Sequence, residues 1–167
     1  MSTFAFPEIQ TPRVHLRLLD LEDAAEILEH FADERVTRYM DIDALRTLDE
    51  AREVIAFHVN DSGCRWGLFG STSGKLIGTC GYHRWRVDAP ATAELGFDLG
   101  HAHWGRGIMQ EVLPPVLAFG FDGMRLARIE ATAEPENRRS IRLLERLGFE
   151  RETALRDGLL VFHRDSV

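Results

Sequence analysis

The sequence predicts an α+β fold built on a mixed sheet. Three observations carry this. Three strand-like runs follow one another between residues 65 and 99, runs with helical spacing stand on both sides of them, and the chain closes on a strand pair around Asp157-Gly158. The resulting order is β, α, α, β, β, β, α, β, α, β, β, without the regular βαβ alternation of a doubly wound fold.

Val14–Leu18 (VHLRL) alternates apolar and polar residues and reads as a strand. Leu21, Ala24, Ala25, Ile27, Leu28 and Phe31 recur at helical spacing, which predicts a helix over 21–31. Residues 33–40 read as a short helix or turn. Thr47-x-x-Glu50 is a capping box, because the Thr hydroxyl and the Glu carboxylate can each satisfy an amide of the first turn; it opens a helix to about Val59. Strands follow at 65–70, 76–85 and Thr92–Leu99, with turns at 71–74 and 87–91. Residues 107–121 are helical in pattern, but Pro114-Pro115 lies past the first turn and predicts a kink or a broken second half. Residues 126–133 form a strand, and 137–147 a helix closed by Gly148, whose freedom at positive φ suits a C-cap. Glu150–Arg156 and 159–163 flank Asp157-Gly158, a hairpin signal.

With 167 residues, 44% apolar and 28% charged, the chain reads as a single globular domain over 1–167. No apolar run approaches the ~20 residues of a membrane span. The N-terminal MSTFAFPEIQ lacks the basic and apolar segments of a secretory signal. Cys64 and Cys80 sit in apolar, strand-like surroundings and read as buried thiols, which fits a reducing cytoplasm. The net charge of −7 disfavours nucleic-acid binding and suits a cationic substrate such as an amine.

Residues 104–109 read Trp-Gly-Arg-Gly-Ile-Met between a strand and a helix. Two glycines let the backbone approach a ligand, and the helix start aims free N–H groups and a positive dipole end at it. Arg106 adds a full charge, and Arg138, Arg139, Arg142 and Arg146 gather further on. The arrangement points to a phosphate-bearing cofactor, although the six residues alone also fit a tight turn with no ligand. A Walker loop is excluded because no Gly-Lys-Ser/Thr exists. A dinucleotide fingerprint is excluded because Gln110 stands where its third glycine belongs.

Residues 137–149 (NRRSIRLLERLGF) place a helix that starts at Asn and ends in Gly-Phe after a strand closing on Glu134-Pro135-Glu136. Together with Trp-Gly-Arg-Gly-Ile, this resembles the GNAT superfamily of acetyl-CoA-dependent N-acetyltransferases. Within it, the chain resembles the branch containing the ribosomal-protein N-terminal alanine acetyltransferases. Thr11-Pro12-Arg13-Val14-His15-Leu16-Arg17, Ala93-Glu94-Leu95-Gly96-Phe97 and Leu126-Ala127-Arg128-Ile129-Glu130-Ala131 fit the same branch, so the resemblance runs in order over 11–165.

The resemblance implies a mixed central sheet whose parallel middle strands splay apart, flanked by about four helices. It implies acetyl-CoA as co-substrate, with the pantetheine arm paired to backbone around Phe97 and Leu99. The pyrophosphate would lie on the amides of Gly105, Arg106, Gly107, Ile108 and Met109. Trp104 opens the loop, and Asn137 caps its helix or contacts the cofactor. Met109 stands where a small residue is usual and is expected to crowd the pyrophosphate. Members of the family continue past the Asp165 region into a full final strand. Here the hairpin is expected either to supply a shortened strand or to leave a gap that a second copy covers in a homodimer.

Acetyl transfer needs a neutral amine, a donor for the developing oxyanion, and stabilisation of the departing thiolate. Glu94 shares a strand face with Gly96 and Asp98, away from Leu95, Phe97 and Leu99. The resemblance makes it the candidate base; a solvated or ion-paired carboxylate is the plainer alternative. Asp98 lies ~13 Å along the strand, too far to share its proton. The family's usual acid, a Tyr seven residues after the motif Asn, is Leu144 here. In the ribosomal branch a Ser three residues after the Asn takes that role, and Ser140 matches it; a first-turn Ser bonded to backbone is the alternative. Neutralising a lysine-type amine at pH 7 costs ~4–5 kcal/mol and a peptide α-amine only ~1, so a site with one modest base favours the α-amine. Cys80-x-x-His83 has metal-like spacing, but no second pair completes a site and no metal is expected. His83 follows a strand beside that of Glu94 and could line the acceptor pocket, with packing the plainer reading. The competing function is a non-catalytic acyl-CoA-binding sensor or regulatory module, which Leu144 in the Tyr position would suit.

Overall fold

The structure, a computed structural model, describes residues 4–167. Its strands are β1 (Ile9–Gln10), β2 (Val14–Leu18), β3 (Cys64–Gly70), β4 (Leu76–Arg86), β5 (Thr92–Leu99), β6 (Arg128–Ala133), β7 (Glu150–Arg156) and β8 (Leu159–Asp165). They form one sheet in the order β1-β2-β3-β4-β5-β6-β8-β7. The helices are α1 (Ala24–Phe31), α2 (Glu34–Thr37), α3 (Leu48–Asn60), α4 (Ile108–Asp122) and α5 (Arg138–Arg146). The α+β reading holds, and residues 33–40, read as a short helix or turn, contain the four-residue helix α2.

Both faces of the sheet are covered, so β3 is buried along nearly its whole length rather than alternating. On one face Trp66, Leu68, Cys80, Tyr82 and Leu95 meet Val112, Leu113, Val116 and Leu117 of α4. On the other, a second apolar cluster joins Ile27 and Phe31 of α1 to Ala51 and Ile55 of α3. Both thiols lie buried and free, and burial pushes the Cys64 thiol up to about 12.

Local signals were honoured where short-range hydrogen bonds settle them. The Thr47 hydroxyl accepts from the Glu50 amide at 3.1 Å, and the Glu50 carboxylate accepts from the Thr47 amide at 3.2 Å. Asp157 (φ 52°) and Gly158 (φ 80°) form a left-handed two-residue turn that matches the twist of β7 and β8. The predicted helix over 21–31 begins as a 3-10 turn, Leu21–Asp23, because Asp20 accepts from the Glu22 amide at 2.8 Å and tightens its start.

Three expectations are corrected. First, α4 runs unbroken through Pro114 and Pro115. Pro114 is exposed, so the carbonyl of Gln110 that its missing N–H would have served meets water, while the buried Val112, Leu113, Val116 and Leu117 pin both halves to the sheet. Second, no gap is left beside β6: the hairpin supplies β8, which pairs with β6 residue by residue, from Arg128 opposite Asp165 to Ala133 opposite Leu160. Third, β1 was not foreseen; it is an edge pair of two residues joined to β2 by a turn in which the Thr11 amide donates to the Val14 carbonyl at 2.8 Å.

β5 and β6 pair in parallel only from Thr92–Arg128 to Glu94–Glu130. Beyond Glu94 they diverge, as the resemblance implied. Among the described residues no helix is long and apolar enough to cross a membrane.

Candidate active site

The divergence of β5 and β6 opens a cleft of about 1180 Å³. Its walls bring together Glu94, Phe97, Leu99, Trp104, Gly105, Gly107, Ile108, Met109, Asn137 and Ser140. The strand edge inside it is usable. The Ala127 amide donates to the Ala91 carbonyl on the β6 side, and the Gly100 amide donates to the Ile77 carbonyl on the β4 side. Alternation therefore turns the C=O of Leu95, the N–H and C=O of Phe97 and the N–H of Leu99 into the cleft, where β6 no longer meets them.

Below this edge stands the glycine loop. Gly105 (φ 72°) and Gly107 (φ 74°) are both left-handed, a conformation that costs other residues roughly 1–2 kcal/mol. Glu111 makes the first intrahelical bond of α4, its amide donating to Gly107 at 3.1 Å. The amides of Ile108, Met109 and Gln110 thus remain at the open helix start, next to the positive dipole end. The loop is anchored from the turn between β1 and β2. Glu111 accepts from the Thr11 hydroxyl at 2.6 Å and from Arg13 Nε at 2.7 Å, while Arg13 Nη1 donates to the Arg106 carbonyl at 2.9 Å. Burial opposes ionisation of Glu111, but the bonds from Thr11 and Arg13 outweigh it and hold the carboxyl below its ordinary range.

Two loop expectations change. The Met109 side chain is 8% exposed and packs with the core under α4, so little of it reaches the cleft, and its amide stays at the helix start. Arg106 lies on the exposed side of the loop and its side chain does not line the cleft; Arg139, Arg142 and Arg146 do. The Arg139 guanidinium lies 3.4 Å from the Trp104 ring centroid, and Trp104 Nε1 donates to the Leu99 carbonyl at 2.7 Å. Trp104 therefore ties the end of β5 to the loop.

Asn137 is the cap of α5, its side-chain oxygen accepting from the Ser140 amide at 3.3 Å. The cap uses the Ser140 amide, so the hydroxyl is not spent on it, and Ser140 stands on the cleft wall. Leu144 is fully buried in the core and offers no proton.

Glu94 accepts from the Thr132 hydroxyl at 3.2 Å and has Arg84 Nη1 at 3.7 Å. Its side chain is 21% exposed, so it is neither fully solvated nor sealed. His83, opposite Glu94 in register, lines the cleft as well. Burial and the Arg65 charge lower the pKa of His83, despite Asp61 and Glu94 nearby. Next to it, burial, Arg65 and His83 push His58 down to about 3.

A buried polar group beneath the cleft had no signature in the sequence. Asp98 accepts from His30 Nε2 at 2.6 Å, Arg65 Nη2 at 2.8 Å, the Thr79 hydroxyl at 2.6 Å and the Thr79 amide at 3.1 Å. Burial alone would raise its pKa, yet these partners hold it below the carboxylate range. The four residues come from α1, β3, β4 and β5, so only the strand register could have joined them. Among the described residues no group of three or more His, Cys, Asp or Glu could hold a metal ion.

The comparisons with known proteins agree with this geometry. The acetyltransferase (GNAT) domain family matches residues 13–150. An uncharacterized N-acetyltransferase, p20, of Bacillus licheniformis is 37% identical over 155 residues, covering 89% of this chain and 85% of that protein. A ribosomal protein uS5-alanine N-acetyltransferase of Escherichia coli K12 is 26% identical over 168 residues, covering 92% and 83%. Among solved structures, the ribosomal α-N-protein acetyltransferase RimL in complex with coenzyme A superposes with a TM-score of 0.82 at 14% identity, covering 95% of this chain and 98% of that one. With the splayed strands, the anchored glycine loop and a family match over most of its length, the chain belongs to the GNAT acetyltransferase family.

Proposed function

We propose that the protein moves an acetyl group from acetyl-CoA to a primary amine by direct attack within a ternary complex. The observation that carries this is the unpaired edge of β5 beyond Glu94, which runs straight to the open amides of residues 108–110. An extended amide-bearing arm fits the edge, and a pyrophosphate fits the amides beside a positive helix end. Gly105, Gly107, Ile108 and Met109 would hold the phosphates, with Arg139 and Arg142 supplying charge and Asn137 fixing α5 beside them. Phe97 and Leu99 would pair with the arm.

Glu94 serves as the base, drawing a proton from the acceptor ammonium directly or through one water. Ser140 is placed to hydrogen-bond the departing thiolate; a hydroxyl stabilises that charge rather than neutralising it. A single carboxylate base suits an α-amine, whose deprotonation costs ~1 kcal/mol at pH 7. The preferred acceptor is therefore a protein N-terminus or a small molecule with an amine of similar basicity, in line with the alanine acetyltransferase among the relatives.

Thiol release from acetyl-CoA is the test, run against peptides beginning in Ala or Ser, polyamines and amino sugars, with product mass as confirmation. Release with at least one amine is expected. The fully buried Leu144 favours one other reading, a non-catalytic acyl-CoA-binding module. Binding of acetyl-CoA without thiol release on any amine would replace the first reading with that one.

A further inference from the structure

Arg65, Gly81 and Gly96 stand in register across β3, β4 and β5. No side chain from the two inner strands blocks the face between them, and the Arg65 guanidinium reaches over to β5. Nε donates to the Thr79 hydroxyl of β4 at 2.9 Å, Nη2 to Asp98 of β5 at 2.8 Å and Nη1 to His83 Nε2 of β4 at 3.0 Å. The fit is close: a Cβ at Gly96 would stand 2.9 Å from Arg65 Nη1 and 3.2 Å from His83 Nε2.

A guanidinium only donates, so His83 Nε2 must accept, and the ring proton belongs on Nδ1. Nδ1 in turn faces Asp61 Oδ2 at 3.4 Å. The ring is hemmed by Arg65 of β3, by Asp61 and His58 at the end of α3, and by Glu94 of β5. Glu94 is its directly opposed neighbour on the same sheet face. The exposed Arg84 already stands 3.7 Å from Glu94, so an imidazolium there would be a second cation beside the candidate base.

We propose that Arg65 is a positioning residue for the acceptor reaction: it holds His83 in the neutral Nδ1–H form, so the ring adds no second cation against Glu94 to compete with the acceptor ammonium. The inference rests on the reading of Glu94 as the base. The lowered pKa of His83 is consistent with it. Asp98 completes the device, because it fixes the guanidinium from the opposite side and binds it to the strand that would carry the cofactor.

The test has two parts. Histidine-ring 15N NMR of the wild-type protein between pH 8 and pH 6 should show His83 uncharged as the Nδ1–H tautomer throughout. Titration near the ordinary ~6.5, or the Nε2–H tautomer, would overturn the proposal without any variant. Gly96→Ala then wedges Arg65 from His83 while removing no charge. It should make His83 titrate within this range and raise the acceptor KM at pH 6 relative to pH 8 by at least ~5-fold over wild type, with acetyl-CoA affinity kept. An unchanged His83 spectrum in Gly96→Ala, or an equal loss of acetyl-CoA affinity, overturns the positioning role. Glu94→Gln measured alongside separates the two claims: full turnover there overturns the base assignment and the kinetic half of the proposal with it.

Discussion

Asp98→Asn probes the polar keystone under the cleft. Asp98 Oδ2 accepts from Arg65 Nη2 and the Thr79 hydroxyl, and Oδ1 from His30 Nε2 and the Thr79 amide. An Asn can place its NH2 in either position. In the first it confronts the guanidinium, donor against donor. In the second it confronts the Thr79 amide. Either way the Arg65 charge, buried at 7% exposure, loses its carboxylate. Breaking a buried pair by removing one partner costs about 3–5 kcal/mol. For a domain of this size each kcal/mol lowers Tm by about 2–4 °C, so a fall of roughly 6–20 °C is expected. Thermal and urea denaturation followed by circular dichroism measure it. A loss below about 1 kcal/mol would refute the reasoning, because the carboxylate would then not be the counter-charge that keeps Arg65 buried.

Three further outcomes follow from the same structure. Glu94→Gln should lower kcat by ~10²-fold or more while leaving the acetyl-CoA Kd unchanged, since a positioned base contributes ~10²–10⁴; steady-state kinetics with calorimetry check it. Pro114→Ala restores an amide that can bond the Gln110 carbonyl. Relief of a helix-interior proline at ~3 kcal/mol, less ~1 for the freer unfolded chain, should raise stability by about 2 kcal/mol in urea melts. Asp98 and Glu111 both have lowered folded-state pKa values. Their contribution to stability is complete above the unfolded-state values of ~3.9 and ~4.3 and is lost as pH falls through the lower folded values. Urea midpoints should therefore fall modestly between pH 7 and pH 5, where the unfolded imidazoles protonate while His58 and His83 stay neutral in the fold, and more steeply below pH 4, where the carboxylates protonate; no further fall below pH 4 would contradict the carboxylate assignment.

Features set by neighbours in the chain could be read from the sequence. The Thr47–Glu50 capping box, the Asp157-Gly158 turn and the Asn137 cap with Gly148 each rest on bonds spanning a few residues, and each formed as written. The glycine loop was legible too, because strand, two glycines and helix are contiguous. Features set by packing were not. Pro114 argues against a helix locally, and only burial of the flanking apolar residues overrides it. The Met109 side chain turns into the core, which its place in a loop pattern does not reveal. Arg65, Thr79, Asp98 and His30 join across three strands and a helix, and Gly81 and Gly96 explain that junction only once their register is known.

The claim on which the account stands is that the loop of residues 105–109 holds the pyrophosphate of acetyl-CoA. Gly107→Glu tests it most directly. A Cβ at Gly107 meets nothing closer than Arg13 Nη2 at 3.9 Å, so beyond the roughly 1–2 kcal/mol that its left-handed backbone costs any other residue, which Gly107→Ala measured alongside subtracts, the substitution adds charge to open space at the helix start. At roughly 5 Å from a phosphate and an effective dielectric constant of ~20, that charge opposes binding by ~3 kcal/mol, or ~100-fold. Calorimetric titration of the folded variant with acetyl-CoA should show at least that loss relative to wild type. Equal affinity in the two proteins would contradict the assignment.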